Sequence, residues 1–403
     1  MKINNEARNA IFIGTLCSIA YFAVYIARNI LSAVSPQMIE SGFSEEYIGK
    51  ISSVFFIAYA IGQLVNGAIG EKIKTRYMLS LGLVLAGVCS IVVPFVDKYK
   101  VGMTIAYGMT GFFLAMIFGP ITKVVAENTE PKYATRCTLG YTFSSFFGSP
   151  MAGLLAVMIS WQGVFVSSGI TLIVIAILVF IFFLILEKTG IVKYNQFKTQ
   201  HKGTANIKIL LKRQIVKYML ISVLTGIVRT SVVFWLPTYI SQYLEFSAKK
   251  SAGIFTIATF VISLTPFAAV FLYERLKCNL EKTVLVMFAS STVFFVGVYL
   301  VKYSSINIIL IVLAIMASNG AASMLWSRYC PSLMDTGMVS TVTGFLDFLS
   351  YMAAALANVI FANAVLEIGW SNLILVWTAL MAVGVIISLP FNAWVQGKGT
   401  RSK

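Results

Sequence analysis

Residues 10–34 read AIFIGTLCSIAYFAVYIARNILSAV, a stretch without a charge from Ala10 until Arg28. An apolar run of that length exceeds the core of a signal peptide, and no small-residue cleavage site follows it. It matches the roughly 20 apolar residues that cross a bilayer as a helix, so it predicts a first membrane span. The same pattern recurs along the chain. Twelve apolar segments are expected, at about 10–34, 51–69, 77–96, 101–126, 138–158, 163–186, 216–240, 249–273, 283–301, 305–330, 338–364 and 371–391. Each should be a helix, because lipid offers no partners for open backbone groups. The expectation is an all-α membrane protein.

Composition points the same way. Of 403 residues, 58% are hydrophobic and only 11% are charged, whereas a soluble domain needs about 25% charged residues to wet its surface. The net charge of +16 would suggest nucleic acid in a soluble protein. In a membrane protein it reflects basic loops on one side, and no nucleic-acid partner is expected. His201 is the single histidine, and Cys17, Cys89, Cys137, Cys278 and Cys330 are scattered without metal-ligand spacing. No metal or cofactor is expected. Neither a nucleophile elbow nor a phosphate loop is present, so an enzyme is not expected.

An even number of spans puts both termini on one side. That side collects Lys72, Lys74, Arg76, Lys132, Arg136 and the basic segment 187–215, against only Lys50, Lys98, Lys100, Lys249, Lys250 and Lys302 on the other. The bias predicts cytoplasmic termini in a cell membrane. Segment 187–215 separates six spans from six, giving an N-terminal bundle 1–186 and a C-terminal bundle 216–403. It reads as a flexible tether attracted to the anionic leaflet.

The two halves echo each other. Arg28 and Arg229 lie 201 residues apart, Glu71-Lys72 and Glu274-Arg275 203 apart, and Lys123 and Arg328 205 apart. Parallel six-helix repeats imply an axis along the membrane normal and a site near mid-depth. The second-half stretch from Arg229 to Tyr239 ends in Trp235, Pro237 and Tyr239, expected in an interfacial aromatic belt.

Charges within spans cost at least about 2.5–3.5 kcal/mol each, so they mark function. The candidates are Arg28, Arg229, Arg328, Lys123 and Asp347. Tyr21, Tyr25 and Arg28 share a helix face at i, i+4 and i+7, as Asp347 and Tyr351 do at i and i+4. An arginine fork suits phosphate or carboxylate oxygens, and two arginines at symmetric positions suit one dianion. Asp347 reads either as a proton carrier or as a counter-charge for Arg229 or Arg328. Lys123 and Arg328 either line the path or snorkel at span ends.

Gly67-Ala-Ile-Gly-Glu71-Lys72-Ile-Lys74-Thr-Arg76 resembles the loop between spans two and three of the major facilitator superfamily. Glu71 stands where that family has Asp, and Lys74 where it has its second glycine. The resemblance implies a fold of two pseudo-symmetric six-helix bundles. It also implies a gating latch from Glu71, Lys72 and Arg76, with Glu274 and Arg275 in the second half. Tyr21-x3-Tyr25-x2-Arg28, Gly42-Phe43-Ser44, Arg229-x5-Trp235-x-Pro237-Thr238-Tyr239, and Gly344-Phe345 with Tyr351 are similar to the organophosphate:phosphate antiporter family. By that resemblance Arg28 and Arg229 grip a substrate phosphate, and Tyr21, Tyr25 and Tyr351 line the pocket. The chain departs from the family's glycerol-3-phosphate exchangers where Ser145 replaces a histidine and Asn29 and Gln63 replace lysines. It departs again where Thr259 lies near a missing acid.

Three functions stay open. One is exchange of an organic phosphate for inorganic phosphate by rocker-switch alternating access. Another is symport of a hexonate- or uronate-like anion with protons through Asp347. The third is a transporter-like receptor that signals to a sensor kinase. The expected partners are a small anionic substrate, with inorganic phosphate or protons, and the bilayer. The expected state is a monomer.

Overall fold

The computed structural model describes residues 5–70, 73–130, 133, 136–137, 140–141, 147–194, 207–330, 332–333 and 339–389. Of the described residues 88% are helical, and none is in a strand.

The order is α1 (Asn5–Glu40), α2 (Glu45–Gly70), α3 (Thr75–Phe95), α4 (Lys100–Leu114), α5 (Phe118–Asn128), α6 (Gly148–Met158), α7 (Trp161–Lys188) and α8 (Ile207–Lys212). There follow α9 (Ile215–Gly226), a π-helical turn (Ile227–Val232), α10 (Val233–Gln242), α11 (Ala248–Ser263) and α12 (Thr265–Arg275). Next come α13 (Leu280–Leu300), α14 (Ser304–Met324), a second π-helical turn (Leu325–Tyr329) and α15 (Val339–Ser388).

Ten helices among the described residues are long and apolar enough to cross a membrane. They match the expected segments with two differences. Segments 338–364 and 371–391 share α15, which changes direction at Gly369, whose φ of 73° a side chain would disfavour. For segment 138–158 the described long piece is the short apolar α6.

Local chemistry sets the helix ends. Past α1, Gly42 has φ 95°; its amide donates to the Ile39 carbonyl, and the Phe43 amide to that of Met38. This closes the helix and satisfies its last carbonyls. Ser160 caps α7 by accepting from the Gly163 amide, and Asn279 caps α13 by accepting from the Lys282 amide.

By their contacts the residues form two units. One comprises Met1–His201, Val233–Ser263 and Ala354–Asn363; the other comprises Lys202–Val232, Leu264–Ala353 and Ala364–Lys403. In the first unit α1 is central, packing on α6, α7, α10 and α11, while α3 lies along α7. In the second, α14 packs on α9, α12 and α13.

Pro36 in α1 and Pro237 in α10 both sit inside helices of the first unit. Each lacks the amide that would bond the carbonyl four residues earlier. Hydroxyls fill both gaps. Ser35 Oγ donates to the Ser32 carbonyl at 2.9 Å, and Ser32 Oγ lies 3.4 Å from the Val233 carbonyl and 2.7 Å from that of Phe234. The expected aromatic belt is corrected here: Trp235 and Tyr239 are both 0% exposed. Trp235 lies beside Gly49 of α2, where the chain also approaches Asn358 and Ala362 of α15. Protein surrounds these rings where lipid headgroups were expected.

Candidate functional site

In the first unit the Arg28 guanidinium lies over three rings: Tyr25 at 5.3 Å, Phe56 at 5.5 Å and Tyr59 at 5.4 Å. Phe56 and Tyr59 come from α2, three residues apart and so on one face. Each such contact is worth about 0.5–2 kcal/mol, which lowers the cost of holding the cation away from water. Tyr21 packs on Tyr25 at 5.0 Å and on Tyr141 and Phe118 at 5.7 Å each. Gly148 opens α6 directly against Tyr25, where a Cβ would collide with the ring's own Cβ and backbone. Asn29 turns back to donate to the Tyr25 carbonyl at 2.6 Å.

In the second unit Arg229 sits within the first π-helical turn. Such turns are rare and concentrate at functional sites. Two neighbours fix its position. Ser222 Oγ donates to the Leu346 carbonyl at 2.7 Å, and Gly226 lets α9 lie on Ser350, whose carbonyl would be 2.7 Å from a Cβ there. Residues 222, 226 and 229 thus face one stripe of α15. Arg229 Nη2 lies 3.7 Å from Asp347 Oδ1 and donates to Ser350 Oγ at 3.4 Å; its guanidinium is 5.7 Å from the Tyr351 ring. The ion pair is longer than a charge-assisted hydrogen bond. Its side chains are 28% and 26% exposed.

The structure therefore brings Arg28 together with Tyr21 and Tyr25, and Arg229 with Asp347 and Tyr351. Phe56, Tyr59 and Ser350 were missed from the sequence. The aromatic repeat at Phe55, Phe56 and Tyr59 was the available signal for two of them. Gln63 on α2 and Lys123 on α5 are half-buried. Arg328 lies in the second π-helical turn, exposed, 4.9 Å from the Tyr273 ring. Ser145, Glu71 and Lys72 lie outside the described residues. Glu274 and Arg275 are exposed in the last turn of α12, with Arg275 over Phe271 at 4.7 Å.

Arg76 makes a contact the sequence did not suggest. Its Nη1 donates to Glu187 Oε2 at 2.8 Å, and Tyr194 donates to Glu187 Oε1 at 2.7 Å. Burial, then the Glu187 carboxylate, pushes the Tyr194 hydroxyl above its ordinary range. The Lys193 amide donates to Asn128 Oδ1 at 2.6 Å. Segment 187–215 therefore starts anchored, not as a free tether. Among the described residues no three His, Cys, Asp or Glu side chains gather as metal ligands.

The family model described as Major Facilitator Superfamily matches residues 17–358. The glycerol-3-phosphate transporter of Bacillus subtilis (strain 168) is 23% identical, over 96% of this chain and 92% of its own. Glucose-6-phosphate exchanger SLC37A2 of Bos taurus is 20% identical, over 89% of this chain and 84% of its own. A solved bacterial homolog of the human lysosomal transporter Spinster superimposes with a TM-score of 0.76 at 12% identity. That match covers 96% of this chain and 97% of the other.

Proposed function

The chain belongs to the Major Facilitator Superfamily, and from that premise we propose that it exchanges an organic phosphate for inorganic phosphate by alternating access. The observation that carries this reading is the state of Arg229. It holds Asp347 loosely, at 3.7 Å and partly open to solvent, so a phosphate dianion that offers a two-point fork is the better acceptor. Arg28 supplies the second grip, its charge lodged against aromatic faces. Tyr21, Tyr25 and Tyr351 supply hydroxyls to the ligand, with Gln63, Ser145, Lys123 and Arg328 along the path. The names of the Bacillus and bovine relatives support a phosphorylated substrate. The sequence halves 1–186 and 216–403 are the rocking bodies, joined by 187–215. Both termini face the cytoplasm, the protein sits in the cell membrane, and it works as a monomeric carrier, not as an enzyme.

A second reading is favoured by Asp347 itself: an ionisable carboxylate beside the arginine suits proton-coupled uptake of a carboxylate.

Counterflow tests both. Proteoliposomes loaded with inorganic phosphate receive labelled phosphate outside, with glycerol phosphates, hexose phosphates and hexonates as competitors. Accumulation that organic phosphates abolish is expected. Failure to accumulate, with uptake of hexonates driven by a pH gradient, would replace the first reading with the second.

A further inference from the structure

Away from both arginine clusters, the first unit holds a cavity of about 410 Å³ along the N-terminal half of α1, facing helical residues 133, 136, 137 and 140. Its floor is made by residues with little or no side chain. Cys137 Sγ donates to the Ala10 carbonyl at 3.3 Å and would lie 2.9 Å from a Cβ on Gly14. Gly140 stands opposite Ser18, whose Oγ would be 3.2 Å from a Cβ there. Ile11, Ile19 and Phe22 form an apolar wall, and Ile11 and Ile19 are 55% and 43% exposed.

The groove has a polar end and an apolar end. Cys137 meets Ala10, Gly140 meets Ser18, and Tyr141 meets Tyr21, so the two helices run in the same direction. Tyr133 and Arg136 therefore lie level with Ala7, at the membrane surface, and Phe22 lies at depth. From residue 7 to residue 22 a helix rises about 22 Å. That covers one leaflet of a hydrocarbon core roughly 30 Å thick. Arg136 is exposed, its guanidinium 5.8 Å from the Tyr133 ring. It belongs to the membrane face where Lys and Arg are concentrated, the face that meets anionic lipid. A sugar phosphate would need polar partners along its whole length, and below Arg136 the described residues of the groove offer the Thr15 and Ser18 hydroxyls among apolar side chains.

We propose that this groove binds an anionic phospholipid, with the lipid phosphate on Arg136 and an acyl chain along Ile11, Ile19 and Phe22. The far end of the groove is lined by Phe22 and Gly140, next in sequence to Tyr21 and Tyr141, which pack on each other. This binding is independent of the transport reading.

The full chain, purified in detergent, is titrated with phosphatidylglycerol or phosphatidylcholine of matched acyl chains, and the tightest lipid adduct is followed by native mass spectrometry. Phosphatidylglycerol should bind more tightly. Arg136→Gln should weaken it about five-fold while leaving phosphatidylcholine unchanged, and Arg136→Lys should retain it. Thr15→Trp, at an exposed groove position, should weaken both lipids by filling the channel. Excess glycerol phosphate should leave the lipid adduct in place. The proposal falls if Arg136→Gln binds phosphatidylglycerol as the wild type does, or if glycerol phosphate displaces the lipid. It also falls if the groove instead joins two copies, seen as a dimer that Thr15→Trp dissociates without changing lipid adducts.

Discussion

The hydroxyls of Ser35 and Thr238 meet at 2.8 Å in a buried contact, although 203 residues separate them in the chain. That separation is close to the one between Arg28 and Arg229. Ser35 spends its one proton on the Ser32 carbonyl, so Thr238 is the donor between them. Ser32 in turn reaches the carbonyls of Val233 and Phe234, 201 and 202 residues on. Residues about one repeat offset apart therefore meet directly, within the first unit. Pro36 and Pro237, also 201 apart, create the unpaired carbonyls that this network satisfies.

Ser35→Ala and Thr238→Ala should each lower stability by about 1 kcal/mol, because each strands a buried polar group. The double variant should cost less than the two singles added, since both remove the same bond. Thermal unfolding of the detergent-solubilised protein measures this. Strict additivity would mean that the two hydroxyls do not interact.

Arg28→Lys and Arg229→Lys should each reduce phosphate counterflow about ten- to hundred-fold. An ammonium keeps the charge but cannot present a planar fork, and a hydrogen bond to a charged group is worth about 1.5–3 kcal/mol. The loss should appear in apparent affinity more than in folding yield. Near-normal affinity in either variant would remove that arginine from the grip.

The spans and the two arginines were legible because both signals are local: an apolar run of membrane length, and a charge that interrupts it. The surroundings of the arginines were not. Phe56 and Tyr59 reach Arg28 from another helix, and no periodicity within α1 reports that. The π-helical turns around Arg229 and Arg328 are local, yet the sequences Ile227–Val232 and Leu325–Tyr329 carry no proline or glycine to announce them. Such a turn adds a residue to one helical turn and rotates everything after it, and the residue types that suggested an interfacial belt could not report which way Trp235 and Tyr239 face. The Pro36–Pro237 pair was visible at the repeat offset, but its meaning lies in the hydroxyls that answer the freed carbonyls.

Asp347→Asn should tighten phosphate binding about five-fold, because it removes a competing anion from Arg229 at a partly exposed site. Exchange of phosphate for phosphate should persist. The same variant should abolish uptake driven by a pH gradient if Asp347 carries a proton. Weaker phosphate binding would show that Asp347 positions Arg229 and does not compete with the ligand.

Gly226→Val should disable the Arg229 cluster from a distance. A side chain at 226 meets the carbonyl and Cα of Ser350 within 3 Å, and backbone cannot yield as a flexible side chain would. The substitution should cost about 1–3 kcal/mol of stability through overpacking. Among folded molecules it should also weaken phosphate binding, because α9 carries Arg229 away from Ser350 and Tyr351. Gly226→Ala tests the steric account by degree, with a smaller loss on both measures; equal losses would point away from steric crowding.

Arg76 and Glu187 form an ion pair whose side chains are only 12% and 13% exposed, so breaking it should be costly. Arg76→Glu or Glu187→Arg alone leaves like charges together and should destabilise by about 3 kcal/mol. Exchanging both restores opposite charges and should recover most of the stability, as thermal unfolding would record. Transport separates the two roles the pair can have. Both residues lie in the first unit, so a purely structural clasp needs only the attraction, and the exchanged pair should then transport normally. A gate also needs the polarity, because Tyr194 and Arg76 both donate to Glu187 while Arg76 donates on to Tyr77 at 2.7 Å. An arginine at 187 accepts from neither, so a stable exchanged variant with slow counterflow would assign gating to this corner. Normal counterflow would assign it to the fold alone.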